Sequence, residues 1–358
     1  LYLLLNAPVA VITGICILPI LAAMIFLEEK SKFPFSVLFV PHAARLMLCL
    51  LENMKKYAFP LAALLFAACN SGEETTTTQI QEPVATILEY TPAPGQFING
   101  TMAGFDHVAS AADACSYAAN RIASNNWVSL GGWGGRIVAA FAEPVPNTGG
   151  YDLYVKGNQF DTSSEPGIVW VMQDTNGNGL PDDEWYELRG SDTGKEGTIQ
   201  NYAVTYYRPA GRQMDVQWTD SEGKSGCIDY LITYHQQDYY YPAWVREDTY
   251  TLYGTRLAPN NVQDPETGYW ENKTYDWGYA DNFSPKDNLG GDVVDGSGQT
   301  NGFRISNAMH RDGTPADLQY VDFIKVQTGV QVKSGWLGEV STEVFSFTDL
   351  SIATDNEK

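Results

Sequence analysis

The sequence predicts an all-β fold: a jelly roll or β-sandwich with one short helix and a long Tyr/Trp-rich loop or insertion region. Short segments of alternating apolar and polar residues recur along the chain. Gly, Pro and Asn punctuate them, and only one segment has helical spacing. The 358 residues are 44% apolar and 13% aromatic, enough for a sizeable core. Acidic residues number 43 against 22 basic, a net charge of −21. That balance argues against nucleic acid as a partner, because nothing along the chain would neutralise a phosphate backbone. It also disfavours an anionic membrane surface.

The first elements belong to targeting. Residues 1–27 carry no charge and would be long enough to span a bilayer. Met54-Lys55-Lys56, the apolar run Tyr57–Ala68 and Cys69 then form a complete signal peptide, with a basic start and an apolar segment too short to span. Phe66-Ala67-Ala68-Cys69 resembles a bacterial lipobox, in which the cysteine is lipidated and becomes the mature N-terminus. Translation is therefore expected to begin at Met54, with 1–53 as upstream sequence, 54–68 as the signal peptide and 69–82 as a lipidated, Thr-rich tether. The alternative is a real transmembrane helix at 1–27, with Cys69 an ordinary thiol. A single β-sandwich domain is expected over 83–352, followed by a tail, 353–358. Cys115 and Cys227 remain as either a disulfide or two separate thiols.

Within the domain, Val108–Ser124 is Ala-rich with helical spacing and ends at Asn125-Asn126. Trp127–Leu130 and Arg136–Phe141 read as two strands around the turn Gly131–Gly135. Further strands are expected at Tyr151–Val155, Gly167–Met172, Tyr202–Tyr207, Asp215–Trp218, Tyr250–Tyr253, Phe303–Ile305, Val321–Gln327 and Glu343–Phe347. The stretch from about Gly190 to Gly302 is either an insertion with its own hairpins or half of the sandwich.

The sharpest chemical motif begins at Asp174. Asp174, Asn176 and Asn178 place oxygen side chains at every second residue, and Gly179 permits a sharp bend. Such a loop curls around a hard cation, here Ca2+, with Leu180 offering its carbonyl and Asp182, Asp183 or Glu184 closing the shell. It departs from an EF-hand, because position twelve falls on Trp185 and a strand precedes the loop. The alternative is an Asn-Gly hairpin turn with solvated charge. A second acidic group, Asp281-Asn282, Asp287, Asp292 and Asp295, reads more simply as a solvated loop than as another calcium site. Tyr240, Trp244, Trp270, Trp277 and Tyr279 lie in turn-rich sequence among polar residues. They are candidates for an exposed platform that stacks on sugar faces or a flat cofactor ring, the alternative being core filling. Catalytic signals are sparse, and no enzyme is expected. His107, His235 and His310 are isolated, no G-x-S-x-G elbow is present, and an acid pair such as Glu165 with Glu187 carries no distance information.

Several segments together resemble a family of Bacteroidetes cell-surface lipoproteins. They are Ser129–Val138, Asp152–Phe160, Ser164–Val169 with the loop that follows, Trp277–Asn282, Val321–Gly329 and Leu337–Glu343. The resemblance covers roughly 95–350. It implies a jelly-roll sandwich at the outer membrane, lipid-anchored and cell-surface exposed, with the membrane touched only through the anchor. Some members are encoded beside TonB-dependent transporters, including cobamide uptake systems. The resemblance carries over no catalytic residue. Asn158 and Glu165 would add ligands to the calcium loop, or simply make turn hydrogen bonds.

The expected function is a calcium-stabilised binding protein that captures a glycan or cobamide-type nutrient for a TonB-dependent outer-membrane transporter. The alternatives are a structural or adhesion protein of the envelope and, further off, a glycoside-active enzyme.

Overall fold

The computed structural model describes residues 85–288 and 300–351. The leader, Cys69, the tether, Asp292, Asp295 and the tail lie outside the described residues. No helix among the described residues is long and apolar enough to cross a membrane.

The domain is an antiparallel, sandwich-like all-β fold with one α-helix. Strands are numbered in chain order. The main sheet has six strands in the order β1 (Thr86–Thr91), β3 (Arg136–Pro146), β15 (Tyr320–Thr328), β5 (Gly167–Met172), β6 (Trp185–Leu188) and β14 (Ala308–Met309). A three-stranded sheet of β13 (Thr300–Phe303), β4 (Leu153–Lys156) and β17 (Ser346–Asp349) supplies Leu153, Val155, Phe303 and Phe347 to the same core. The inner face of the main sheet gives Ile137, Ala139, Ile324, Val326, Val169, Val171 and Leu188 to that core. These residues occupy alternate positions, as a sheet with one buried face requires.

The helix α1 (Ala111–Ala123) closes one side of this core through Ala114, Tyr117, Ala118 and Ile122. It begins three residues later than its spacing suggests, because the Ser110 hydroxyl caps the Asp113 N–H. Asn125, at φ 52°, ends it.

The region 199–256 is a second layer with hairpins of its own. β10 (Thr249–Arg256), β7 (Ile199–Tyr207), β8 (Val216–Asp220) and β9 (Ser225–Ile228) form a four-stranded sheet. Its core of Tyr202, Val204, Tyr206, Val216 and Leu252 closes around Trp133. The minor pairs are β11 (Asn261–Gln263) with β12 (Trp270–Asn272), and β2 (Val128–Ser129) with β16 (Glu343–Val344).

Three expectations are corrected here: Phe303–Ile305 is the end of β13 followed by a 3-10 turn at Ile305–Asn307, Glu343–Phe347 is split between β16 and β17 in different sheets, and the third is the Gly-rich turn. Gly131–Gly135 does not turn a hairpin: β2 pairs with β16, whereas β3 pairs with β1 and β15. The glycines instead form a strap pressed against neighbouring backbone. Gly131, at φ 69°, would drive a Cβ into the Ala93 carbonyl. Cys115 and Cys227 are separate thiols, bonded to the Ile87 carbonyl and to Asp229.

Candidate functional site

The outer face of the main sheet carries a transverse row of directly opposed residues. Glu89, Val138, Lys325, Trp170 and Glu187 come from β1, β3, β15, β5 and β6. Opposed residues share a face. Arg136, Gln327 and Trp185, two positions along their strands, share it too. The rim of the four-stranded sheet (Gln200, Asn201, Tyr253–Thr255), Pro181 and Met309–Arg311 wall this face into a cleft of about 520 Å³. That volume falls in the range of small-ligand sites, roughly 300–1,000 Å³.

The floor of the cleft is charged and tightly held. The Lys325 ammonium lies 4.5 Å from the Trp170 ring centre and 4.4 Å from that of Trp185. Burial, aided by nearby Arg136 and opposed by Glu89 and Glu187, lowers its pKa to about 7. Arg136 is paired with Glu89 at 2.7 Å. Glu187 accepts a hydrogen bond from Thr255 Oγ1 at 2.5 Å, and burial pushes it up to about 7. Gln327 donates to the Gly134 and Tyr253 carbonyls, both at 2.9 Å, and locks the strap and the second sheet to β15. Tyr253 projects its ring into solvent at the rim, 69% exposed.

A second cluster is largely enclosed, with Asp281 and Glu343 buried and Glu165 half-buried. Glu165, Asp281 and Glu343 bring carboxylate oxygens within 4.8 Å of one another. Three segments deliver them. The Gly167–Ala280 backbone bridge sets Glu165 beside Asp281, and the β2–β16 pair presents Glu343. Asp281, at φ 51° and fully buried, accepts N–H bonds from Asn158 (2.9 Å) and Glu343 (2.8 Å). Ser341 donates to Glu343 at 2.8 Å. Burial and mutual repulsion raise Glu165 and Asp281 well above the ordinary carboxylate range. Glu343 is raised by burial alone, against the hydrogen bonds that lower it. Among the described residues no basic side chain counters the three charges, which leaves a proton or a divalent cation to do so. Asp281, Asn282 and Asp287 are thus buried, which corrects their reading as a solvated loop. Glu165 and Glu187 belong to different sites: one sits in this cluster, the other in the cleft.

The Asp174 loop curls as expected but closes on its own donors. Asp174 accepts from the N–H groups of Gly177, Asn178 and Gly179 at 2.7–3.2 Å. Asn176 and Asn178 donate side-chain N–H bonds to Asp182. Asp183 takes Thr175, and the Leu180 carbonyl accepts from the Asp182 N–H. Glu184 is corrected: it leaves the loop for the Tyr186 hydroxyl at 3.0 Å and His310 at 3.8 Å. Asn158 and Glu165 serve the buried carboxylate cluster and not this loop.

The aromatic platform is also corrected. Tyr240, Trp244 and Tyr279 are buried in three separate core clusters. The Tyr240 hydroxyl donates to the His235 carbonyl and accepts from the Leu231 N–H, which removes the polar cost of burying it. Trp270 is half-buried beneath Gly335, and Trp277 lines a different pocket with Tyr151 and Arg304. The cleft uses Trp170, Trp185 and Tyr253 instead. A lysine near the centre and a glutamine at the end of the apolar strand Val321–Gln327 were the available signal for it.

No protein-family model matches the chain, and no curated protein matches it.

Proposed function

We propose that this protein is a non-catalytic binding protein that takes a small polar ligand into the cleft over Lys325, with a glycan as its class. One observation carries the reading: an open cleft of about 520 Å³ combines half-buried indoles, an exposed tyrosine ring and fixed polar side chains. Sugar rings have an apolar C–H face and a polar rim, and this lining offers a partner to each. The experiment is a tryptophan-fluorescence titration with neutral and acidic oligosaccharides and with cyanocobalamin, on the wild type and on Trp170→Ala and Tyr253→Ala. Saturable binding weakened by both substitutions is expected. Binding indifferent to both, or none at all, overturns the assignment of the cleft.

The burial of Tyr240, Trp244 and Tyr279 favours a second reading, a structural protein of the envelope. It predicts no saturable ligand in the same titration.

Calcium belongs to the proposal as a stabiliser. Two places offer hard oxygen donors of the kind it takes: the Asp174–Asp182 loop and the Glu165–Asp281–Glu343 cluster. Calorimetry of the chelator-treated protein, with Asp174→Ala and Glu343→Gln as variants, identifies which of them holds the ion. Absence of heat in the wild type ends the calcium assignment. Anchoring through Cys69 at the outer-membrane surface, and delivery to a TonB-dependent transporter, complete the proposed role. Lipid labelling that persists in Cys69→Ala would refute the anchor.

A further inference from the structure

We infer that the ligand of this cleft is a sugar acid, its carboxylate beside the Lys325 ammonium and its ring against Tyr253. The inference rests on the binding role proposed above and names the ligand class.

Charge is the first argument. The chain carries −21, yet this cleft gathers Arg136, Arg311 and Lys325 against Glu89 and Glu187. Glu89 is spent on Arg136, and Glu187 is bonded to Thr255. No carboxylate among the described residues forms an ion pair with Lys325 or Arg311, and three cations against two carboxylates leave one positive charge in excess.

Position is the second argument. Lys325 sits at the middle of β15, hydrogen-bonded on both sides by β3 and β5. Among the described residues, no hydrogen bond or ion pair reaches its ammonium, and its near neighbours are the two indole faces. A methionine would fill the same space without the cost of desolvating a charge. An ammonium kept there, facing an open cleft, suits an anion that enters from solvent.

Shape is the third argument. An inorganic anion would use only the cationic groups of the cleft. The cleft is far larger than that, and the exposed Tyr253 ring at its rim offers a face to a sugar ring.

The test is calorimetric titration of the full domain with digalacturonate, with the neutral galactose disaccharide and with inorganic phosphate. The variants are Lys325→Met, with Lys325→Gln as a second substitution should Met disturb folding, and Tyr253→Ala. The wild type is expected to bind the acidic disaccharide about tenfold more tightly than the neutral one, the worth of one charge-assisted hydrogen bond. Loss of the lysine should erase that preference, because the acidic disaccharide loses about tenfold in affinity and the neutral one much less. Equal affinity for both disaccharides overturns the inference and leaves the cleft as a glycan site. Phosphate binding as tight as that of the acidic sugar overturns the sugar-acid assignment in favour of a plain anion site. Failure of both disaccharides to bind overturns the inference and the glycan role together.

Discussion

The cleft over Lys325 and the Glu165–Asp281–Glu343 cluster both place charge among apolar strands, but they do so under opposite conditions. The cleft mixes signs, opens to solvent and holds its groups by cation–π contact and single hydrogen bonds. The cluster carries one sign, is largely enclosed and is fixed by backbone N–H groups from two segments. An open site can leave a charge for a ligand to meet. A closed one must be neutralised within the fold, by a proton or an ion. The difference separates recognition from stability: the cleft is expected to control binding, and the cluster to control melting.

The largest effect that would break this contrast is a jammed cluster. A Cβ on Gly157 would fall against Asp281 and Gln159. Gly157→Ala is expected to cost about 3 kcal/mol, at the upper end of overpacking. Thermal melting checks it, and an unchanged midpoint would mean the cluster is not rigid.

Next in size is pH. Glu165, Asp281 and Glu343 are raised, as are Glu339 (about 8) and Glu187 (about 7), each mainly by burial. A carboxyl raised in the folded state binds its proton more tightly there than when unfolded. Stability is therefore greatest near the unfolded pKa, about 4, and falls as pH rises to about 8. Melting in chelator from pH 5 to pH 8 should show this fall. If calcium occupies the cluster, the same series with calcium should be flatter. Identical slopes would assign the cluster to shared protons.

Lys325 gives a smaller effect of opposite sign. Its folded pKa is depressed, so the cost of burying the ammonium is complete below pH 7 and shrinks toward pH 10. Lys325→Met should melt higher than the wild type at pH 6, with the gap closing by pH 10. A gap independent of pH would show that the lysine is not desolvated.

The smallest stability effect belongs to Tyr253, whose ring is 69% exposed. Tyr253→Ala should shift stability by no more than about 0.5 kcal/mol while weakening ligand binding. A large loss of stability would move this residue from recognition to structure.

Much of the framework was legible residue by residue. Gly167–Met172 is a strand with the bounds expected, and Val321–Gln327 lies within the longer Tyr320–Thr328. Asn125 ends the helix as expected, whereas its start, capped by Ser110, lies three residues inside the expected bounds. Sequence misled where one local pattern fits two partners. A Gly-rich link between strands reads as a hairpin, but β2 and β3 join different sheets, because the glycines serve close backbone approach. Tyrosines in turn-rich sequence look exposed, yet Tyr240 and Tyr279 are buried once their hydroxyls find backbone partners.

The sequence by itself determined the all-β class, most of the longer strands, the end of the helix and the curl of the Asp174 loop, but not β1, β6 or the split of Glu343–Phe347 between two sheets. The former depend on alternation, capping and spacing within a few residues. Only the tertiary structure decided which charges meet. Glu165, Asp281 and Glu343 lie far apart along the chain, and strand pairing brings them together. Lys325 reads as one residue of an alternating strand until β3, β5 and β6 align Val138, Trp170 and Glu187 across it. Alternation fixes the face a side chain takes, but register across strands fixes its neighbours, and register is set by contacts that are not local.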